Sequence, residues 1–329
     1  MFKIFRTSTP LSVMALLLVT LITKLYWLAH PAAAIALDHQ KIWIAMLGII
    51  QFFIGNSPLA MTFFAIANLA GQAVYLNRLT TENDLYHTRN YLPAICFILF
   101  TGLLPEWNYL SASLISNWFI LAAIGGMLQI QNNPNVRKGI FNIGLFISCA
   151  GLLSLPALIF FPLLFVSLSI SRAFKADEWL LGALGFLTPL YFLAAGIFLF
   201  GDLQSLPTWL PSRLQLISDL PRDSTKPYVV LGFILILLVI GIIYLNRYTE
   251  HKLIQVKKRW SMLITGFFLA LIPLFFSGLG SMAISVFALI FLSAIVANIW
   301  LERKNKWLGR ILFYLFLAVL IFAQWIQVP

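Results

Sequence analysis

The sequence predicts an all-α, polytopic transmembrane helical protein, a single integral membrane unit over residues 1–329 with about eleven spans. Three observations predict it. The chain is 61% hydrophobic and only 10% charged, whereas a soluble domain carries roughly 25% charged residues. Long apolar stretches recur from one end to the other, and a bilayer core needs about 20 apolar residues per helix. Lysine and arginine collect in alternate connecting segments, the pattern that cytoplasmic loops impose.

In chain order, the spans are 11–29, 57–77, 91–105, 111–130, 139–155, 157–171, 179–201, 227–246, 261–277, 279–300 and 311–328. HPAAAIA at 30–36 contains a cleavage-like small-residue site. So many spans follow it that the first stretch reads as a retained helix. The stretches 91–105 and 157–171 are short and bounded by prolines, so they are tilted, shallow or continued by their flanks. Cys96 and Cys149 lie inside apolar runs and read as bilayer thiols.

Residues 42–54 are apolar but short for a span. If they crossed, every later loop would change sides and the charge pattern would invert. They are therefore expected as an interfacial helix, 42–54, inside an outer segment, 30–56. Gly55-Asn56-Ser57-Pro58 supplies a turn and a helix start. The alternative is one long helix over 42–77, kinked at Pro58.

With the N-terminus inside, seventeen of the twenty-two basic residues fall on that side. They are Lys3 and Arg6; Arg78 and Arg89; Arg137 and Lys138; Arg172 and Lys175; Arg247, Lys252, Lys257, Lys258 and Arg259; and Arg303, Lys304, Lys306 and Arg310. Lys41, Arg213, Arg222 and Lys226 lie outside, and Lys24 is near the outer end of the first span. The net charge of +11 is thus a topological signal, and no nucleic-acid partner is needed to explain it. The reading is a bacterial inner-membrane protein, N-terminus cytoplasmic and C-terminus periplasmic, with the lipid bilayer as its first partner. The basic runs QVKKRW at 255–260 and RKNKWLGR at 303–310 suffice as topology anchors, and their charge also suits anionic headgroups.

RAFKADEWLLGALGFLTPLYFL at 172–193 carries Arg172 and Phe174, then Glu178-Trp179, then Leu187-Thr188-Pro189 and Tyr191. This run resembles the signature of an uncharacterised multi-pass membrane family from Bacteroidota. NRLTTEND at 77–84, through Leu79, Thr80 and Asn83, and the proline-containing tract 139–168 are similar to two other parts of that family. Lys175-Ala176-Asp177 departs from its pattern. The resemblance covers roughly residues 60–200 and implies an inner-membrane location but no mechanism. A second resemblance is architectural. GT-C superfamily glycosyltransferases, which use lipid-linked sugars, place one large outer loop after the first helix and another after the seventh. The segments 30–56 and 202–226 stand at similar places.

That likeness implies a polyprenyl-phosphate-linked sugar as substrate, with other envelope proteins as partners. It points to Asp38 and His39 as catalytic candidates. Asp38 would be a base or a ligand for a divalent metal, and His39 a proton relay or ligand; which metal, if any, is unknown. The same residues also read as a hydrated helix start, with Asp38 as N-cap and Lys41 at N3. The residues by themselves favour that second reading. Arg213, Arg222 and Lys226 are candidates to bind the donor phosphate. Asp202, Asp219 and Asp223 in the same loop neutralise them, which suits a solvated loop as well. The loop core TWLPSRLQLISDL reads as a short amphipathic interfacial helix.

The remaining signals are structural. None of the eleven acidic residues lies mid-span, which counts against an ion-coupled pump. Lys24 is expected to snorkel outward. Asn68, Gln72, Asn117, Asn142 and Asn298 are expected at helix–helix contacts, and Gly125-Gly126 and Gly182-x-x-Gly185 at close crossings. Tryptophans near span ends are expected in the interfacial belt. A non-catalytic scaffold or partner subunit of an envelope assembly, and a small-molecule or lipid transporter, remain as alternatives to the glycosyltransferase. No internal repeat supports the transporter.

Overall fold

The computed structural model describes residues 5–6, 10–31, 41–130, 136–200, 209, 226–250, 252–277, 285–301 and 306–325. Among them there is no strand. Among them are also twelve α-helices of ten residues or more: α1 Pro10–Ala29, α2 Lys41–Ile54, α3 Pro58–Glu82, α4 Leu92–Thr101, α5 Ala112–Gln129, α6 Val136–Leu153, α7 Phe160–Ser171, α8 Ala176–Phe200, α9 Lys226–Glu250, α10 Ile254–Ser277, α11 Val286–Leu301 and α12 Lys306–Trp325. Six of these, α1, α3, α5, α6, α8 and α9, are long and apolar enough to cross a membrane. The protein is an all-α polytopic membrane protein, and each apolar stretch of the sequence carries one helix.

The ends of α1 show why the bundle suits lipid. Leu11, Met14, Leu17, Leu18, Leu21, Ile22 and Leu25 are exposed, while Ser12, Thr20, Thr23 and Lys24 are buried. A soluble helix hides its apolar stripe; this one turns it outward and hides its polar one, which only a hydrocarbon solvent rewards. At the centre, every residue of α4 and of α11 is buried. These two short helices pack against each other, with α3, α9 and α10 around them.

Helix starts follow local chemistry. The Ser57 hydroxyl accepts from the Ala60 backbone N–H at 3.2 Å, with Pro58 in the first turn of α3. The Ser111 hydroxyl accepts from Leu114 N–H at 3.2 Å at the start of α5. Each such cap is worth about 1 kcal/mol. α2 and α3 are separate helices, because Gly55 between them has φ 90°, a left-handed conformation that only glycine adopts freely. Several helices run past their apolar stretch: α3 continues to Glu82 and α10 begins at Ile254. There the polar turns are paired by caps and neighbours rather than by lipid contact.

The close crossings fall at the expected glycines. A Cβ on Gly126 would lie 2.7 Å from Ile143, and one on Gly125 would lie 2.6 Å from Leu79. Gly144 of α6 faces the backbone of Gly182 and Phe186 in α8, and Gly185 faces the Phe141 carbonyl. Neither leaves room for a Cβ, so α6 and α8 touch backbone to backbone. Glutamine and asparagine tie α3 to α5: Gln72 Nε2 donates to Leu114 O at 2.7 Å, and Asn117 Nδ2 donates to Gln72 Oε1 at 2.9 Å. Trp118 Nε1 donates to Asn68 Oδ1 at 3.0 Å.

The 172–179 signature is a knot between α7 and α8. Arg172 Nε lies 3.6 Å from Glu178 Oε2, and Trp179 packs 4.9 Å from Phe165 and 5.1 Å from Phe174, ring centre to ring centre. The tryptophans depart from the belt expectation. Trp27, Trp43, Trp107, Trp260 and Trp300 are buried. Trp107 donates to Ser285 Oγ, Trp260 to Leu85 O and Trp300 to Gly309 O. These three N–H groups find protein acceptors in the bundle, so their side chains turn inward, whereas the buried Trp27 Nε1 has no hydrogen-bond partner among the described residues.

Contacts between helix ends sort into two groups. One joins Phe5 to Tyr91, Arg6 to Trp300, Asn83 to Arg259, Leu85 to Trp260 and Arg137 to Asp177. The other joins Lys24 to Thr101, Thr23 to Gln324, Trp107 to Ser285, Ser113 to Ser154 and Lys41 to Trp209. The end of the bundle that holds the first group, with Phe5 and Arg6, is here called the first face, and the end that holds the second group, with Lys41, the second face.

Candidate functional site

Near the second face, a helix stops early. Counted at about 1.5 Å per residue, α4 is about 15 Å long, half of a bilayer core of about 30 Å. Gly102 N–H caps the Ile98 and Leu99 carbonyls and Leu103 N–H caps Phe100 O, which leaves Thr101 O to a side chain. The chain then runs without α-helix to Ala112, through a single 3-10 turn at Pro105–Trp107. Irregular backbone at membrane depth is tolerated only when protein covers it. Here Gly102, Leu103, Leu104, Trp107, Asn108, Leu110 and Ser111 are all buried.

Side chains from two other helices complete the break. Asn108 Nδ2 donates to Thr101 O at 2.8 Å and to Leu104 O at 2.7 Å. Gln324 of α12 donates to Gly102 O at 3.0 Å and to Thr23 O of α1 at 2.9 Å. Lys24 of α1 donates to Thr101 Oγ1 at 2.9 Å and to Asn108 Oδ1. Lys24 does not snorkel: it is 0% exposed. Its amine meets the α4 terminus instead of water. The negative end of the α4 dipole and two neutral oxygens face the amine. Among the described residues no carboxylate lies within ion-pair distance of it. An ionisable group so placed in a membrane protein marks a functional site by default.

The adjoining turn carries Glu106. Its Oε2 is buried and has no hydrogen-bond partner among the described residues. Burial pushes this carboxyl above the usual carboxylate range, against a smaller opposing contribution from its own backbone N–H. Tyr109 beside it is raised as well, by burial first, then by the charges of Glu106 and Tyr26. Tyr26 stacks on His30 with ring centres 4.6 Å apart, and Trp27 meets Tyr109 edge-on at 6.1 Å. The group therefore offers a buried carboxyl, two phenols and an imidazole. That set can give or take a proton and bind hydroxyls.

Asp38, His39, Arg213 and Arg222 lie outside the described residues. Lys226 is the first residue of α9. Among the described residues the segments 30–56 and 202–226 meet: the Lys41 ammonium lies 5.5 Å from the centre of the Trp209 ring, within cation–π range. Among the described residues no three His, Cys, Asp or Glu side chains gather as metal ligands. Sequence reasoning missed Glu106 because PEWN reads as a short turn. The available signal was an acidic residue and an asparagine flanking a proline-bounded short span.

A model of a family of unknown function, DUF6427, matches residues 40–329, and the chain belongs to that family. The match is wider than the residues 60–200 that carry the resemblance in the sequence. No curated protein and no solved structure matches the chain.

Proposed function

We propose that this DUF6427 protein sits in a bacterial inner membrane and transfers a sugar from a polyprenyl-phosphate donor at its outer face, in building the envelope. The bundle would cross about eleven times, with the first face cytoplasmic, the second face periplasmic and α2 lying along the outer interface. The observation that carries this reading is the Lys41–Trp209 contact, which brings the segment after α1 against the segment before α9.

In the proposed reaction an acceptor hydroxyl gives its proton to a carboxylate and its oxygen attacks the anomeric carbon. The bond from that carbon to the phosphate oxygen breaks, and polyprenyl phosphate leaves. Asp38 is the proposed base, with His39 relaying the proton. Arg213, Arg222 and Lys226 would hold the departing phosphate. Glu106, the carboxyl described above, would position the acceptor through Tyr109.

The test is a deletion strain complemented with Asp38→Asn, read by surface glycan and by the amount of protein in the membrane. Loss of glycan at normal protein level supports the reading. Normal glycan at normal level overturns the assignment of Asp38. Loss of glycan in the deletion that Asp38→Asn fully restores favours a non-catalytic partner of an envelope assembly instead.

A further inference from the structure

On the first face, α6 starts against its own dipole. The N-terminus of a helix favours anions, yet the first turn of α6 carries Arg137 and Lys138 and no acidic residue. Its neighbour α8 is built the opposite way, with Asp177 and Glu178 in the first turn. The two helices run side by side in one direction, from the Arg137–Asp177 pair to the glycine crossing at Gly144 and Gly185.

Between these two starts and the end of α7 is a cavity of about 620 Å³. α6 lines it with Arg137 and Lys138, the turn before α8 with Arg172 and Lys175, and α8 with Asp177 and Glu178. Each carboxylate already has an arginine. Arg137 Nη2 lies 2.9 Å from Asp177 Oδ2, and Arg172 Nε lies 3.6 Å from Glu178 Oε2. Arg172 also closes α7, where a cation suits the negative end of the dipole. Lys138 and Lys175 remain. Both are exposed, and neither forms an ion pair among the described residues. The lining therefore holds an excess of positive charge that nothing in the described bundle answers.

An apolar ridge leaves the same place. Asp177 shares a face of α8 with Leu180, Leu184, Leu187 and Tyr191, which follow it at helical spacing. All four are more than half exposed. The other side of α8, with Gly182 and Gly185, is the one closed against α6. A cationic cavity at the mouth of an outward apolar ridge matches the layout of a phospholipid, a charged headgroup followed by its chains.

We propose that this cavity holds the headgroup phosphate of an anionic phospholipid on Lys138 and Lys175, with the acyl chains along Leu180, Leu184, Leu187 and Tyr191. A zwitterionic headgroup brings its own ammonium and gains less from the excess charge. The bound anion also offsets the cations at the start of α6. The proposal does not rest on the sugar-transfer reading or on which side of the membrane the first face lies.

The test follows the melting temperature of the full chain in zwitterionic detergent as phosphatidylglycerol or phosphatidylcholine is added to the micelles. A saturable rise with phosphatidylglycerol alone is expected. Lys138→Gln with Lys175→Gln should raise the half-maximal mole fraction by about tenfold or more. Lys257→Gln with Lys258→Gln, which removes equal charge at the start of α10, should leave it unchanged. Should the first pair not fold, Asp177→Asn frees Arg137 and is expected to tighten binding by about threefold. The proposal is overturned if phosphatidylglycerol does no more than phosphatidylcholine, or if inorganic phosphate at matched ionic strength gives the same rise. It is also overturned if the folded Lys138–Lys175 double variant keeps the full response, if the α10 pair weakens it as much, or if Asp177→Asn leaves it unchanged.

Discussion

The Lys24 amine lies 2.9 Å from the Thr101 hydroxyl, at the end of a helix only about 15 Å long, half the thickness of a bilayer core. The two residues come from helices far apart in the chain, and each solves the other's problem. The helix end has a negative dipole that a cation offsets. The lysine has a positive group that hydrocarbon cannot solvate.

The coupling is measurable. Lys24→Met should leave Asn108 Oδ1 without its donor, and a buried unmet acceptor costs about 1–3 kcal/mol. Adding Asn108→Leu removes that acceptor but also frees Thr101 O and Leu104 O. The two changes are therefore expected to be non-additive, with a coupling of about 0.5–3 kcal/mol from thermal unfolding of the four proteins. Strict additivity would mean the two side chains do not act as one unit.

The α6–α8 crossing has its own control glycines. Gly144→Ala and Gly185→Ala place a methyl against backbone atoms, and such overpacking costs about 1–3 kcal/mol. Gly196 and Gly232 have nothing within 4 Å of the same added atom. Alanine there should be neutral or stabilising by about 0.5–1 kcal/mol. Melting temperatures of the four variants, compared in one detergent, decide it; equal losses at all four sites would count against the close crossing.

Glu106 makes stability depend on pH in a defined direction. Its folded pKa is raised above the unfolded value near 4.5, chiefly by burial. The protonated form is thus favoured in the fold, and below the unfolded pKa there is no penalty. As pH rises through 4.5 toward the folded pKa, the penalty grows, and above that value it is constant. Melting temperature followed across this range should fall in the wild type relative to Glu106→Gln. Parallel curves for the two proteins would show that Glu106 is not held in its neutral form.

Much of the architecture was legible in the sequence because it depends on local pattern. Each apolar stretch yields a helix, Gly182 and Gly185 mark a crossing, and Gln72 with Asn117 ties two helices together. The misreadings share a cause. Lys24 in isolation favours snorkelling, but Thr101 and Asn108, brought over by a different hairpin, offer it acceptors nearer than the interface. Trp260 and Trp107 in isolation suit a lipid headgroup layer, but Leu85 O and Ser285 Oγ take their N–H groups inside the bundle. Glu106 looked like a turn residue because its burial comes from neighbours remote in sequence. Periodicity reports which residues share a face; it does not report which helix that face will meet.

The proposed function requires one orientation of the bundle, with the second face periplasmic and the first face cytoplasmic. It is tested by single cysteines placed at Lys41, Trp209, Arg137 and Lys252 in a chain with Cys96 and Cys149 replaced by alanine, labelled in intact spheroplasts with a membrane-impermeant maleimide. The account predicts labelling at positions 41 and 209 in intact spheroplasts, and at 137 and 252 only after lysis. Labelling of 137 and 252 in intact spheroplasts, with 41 and 209 protected until lysis, would contradict it.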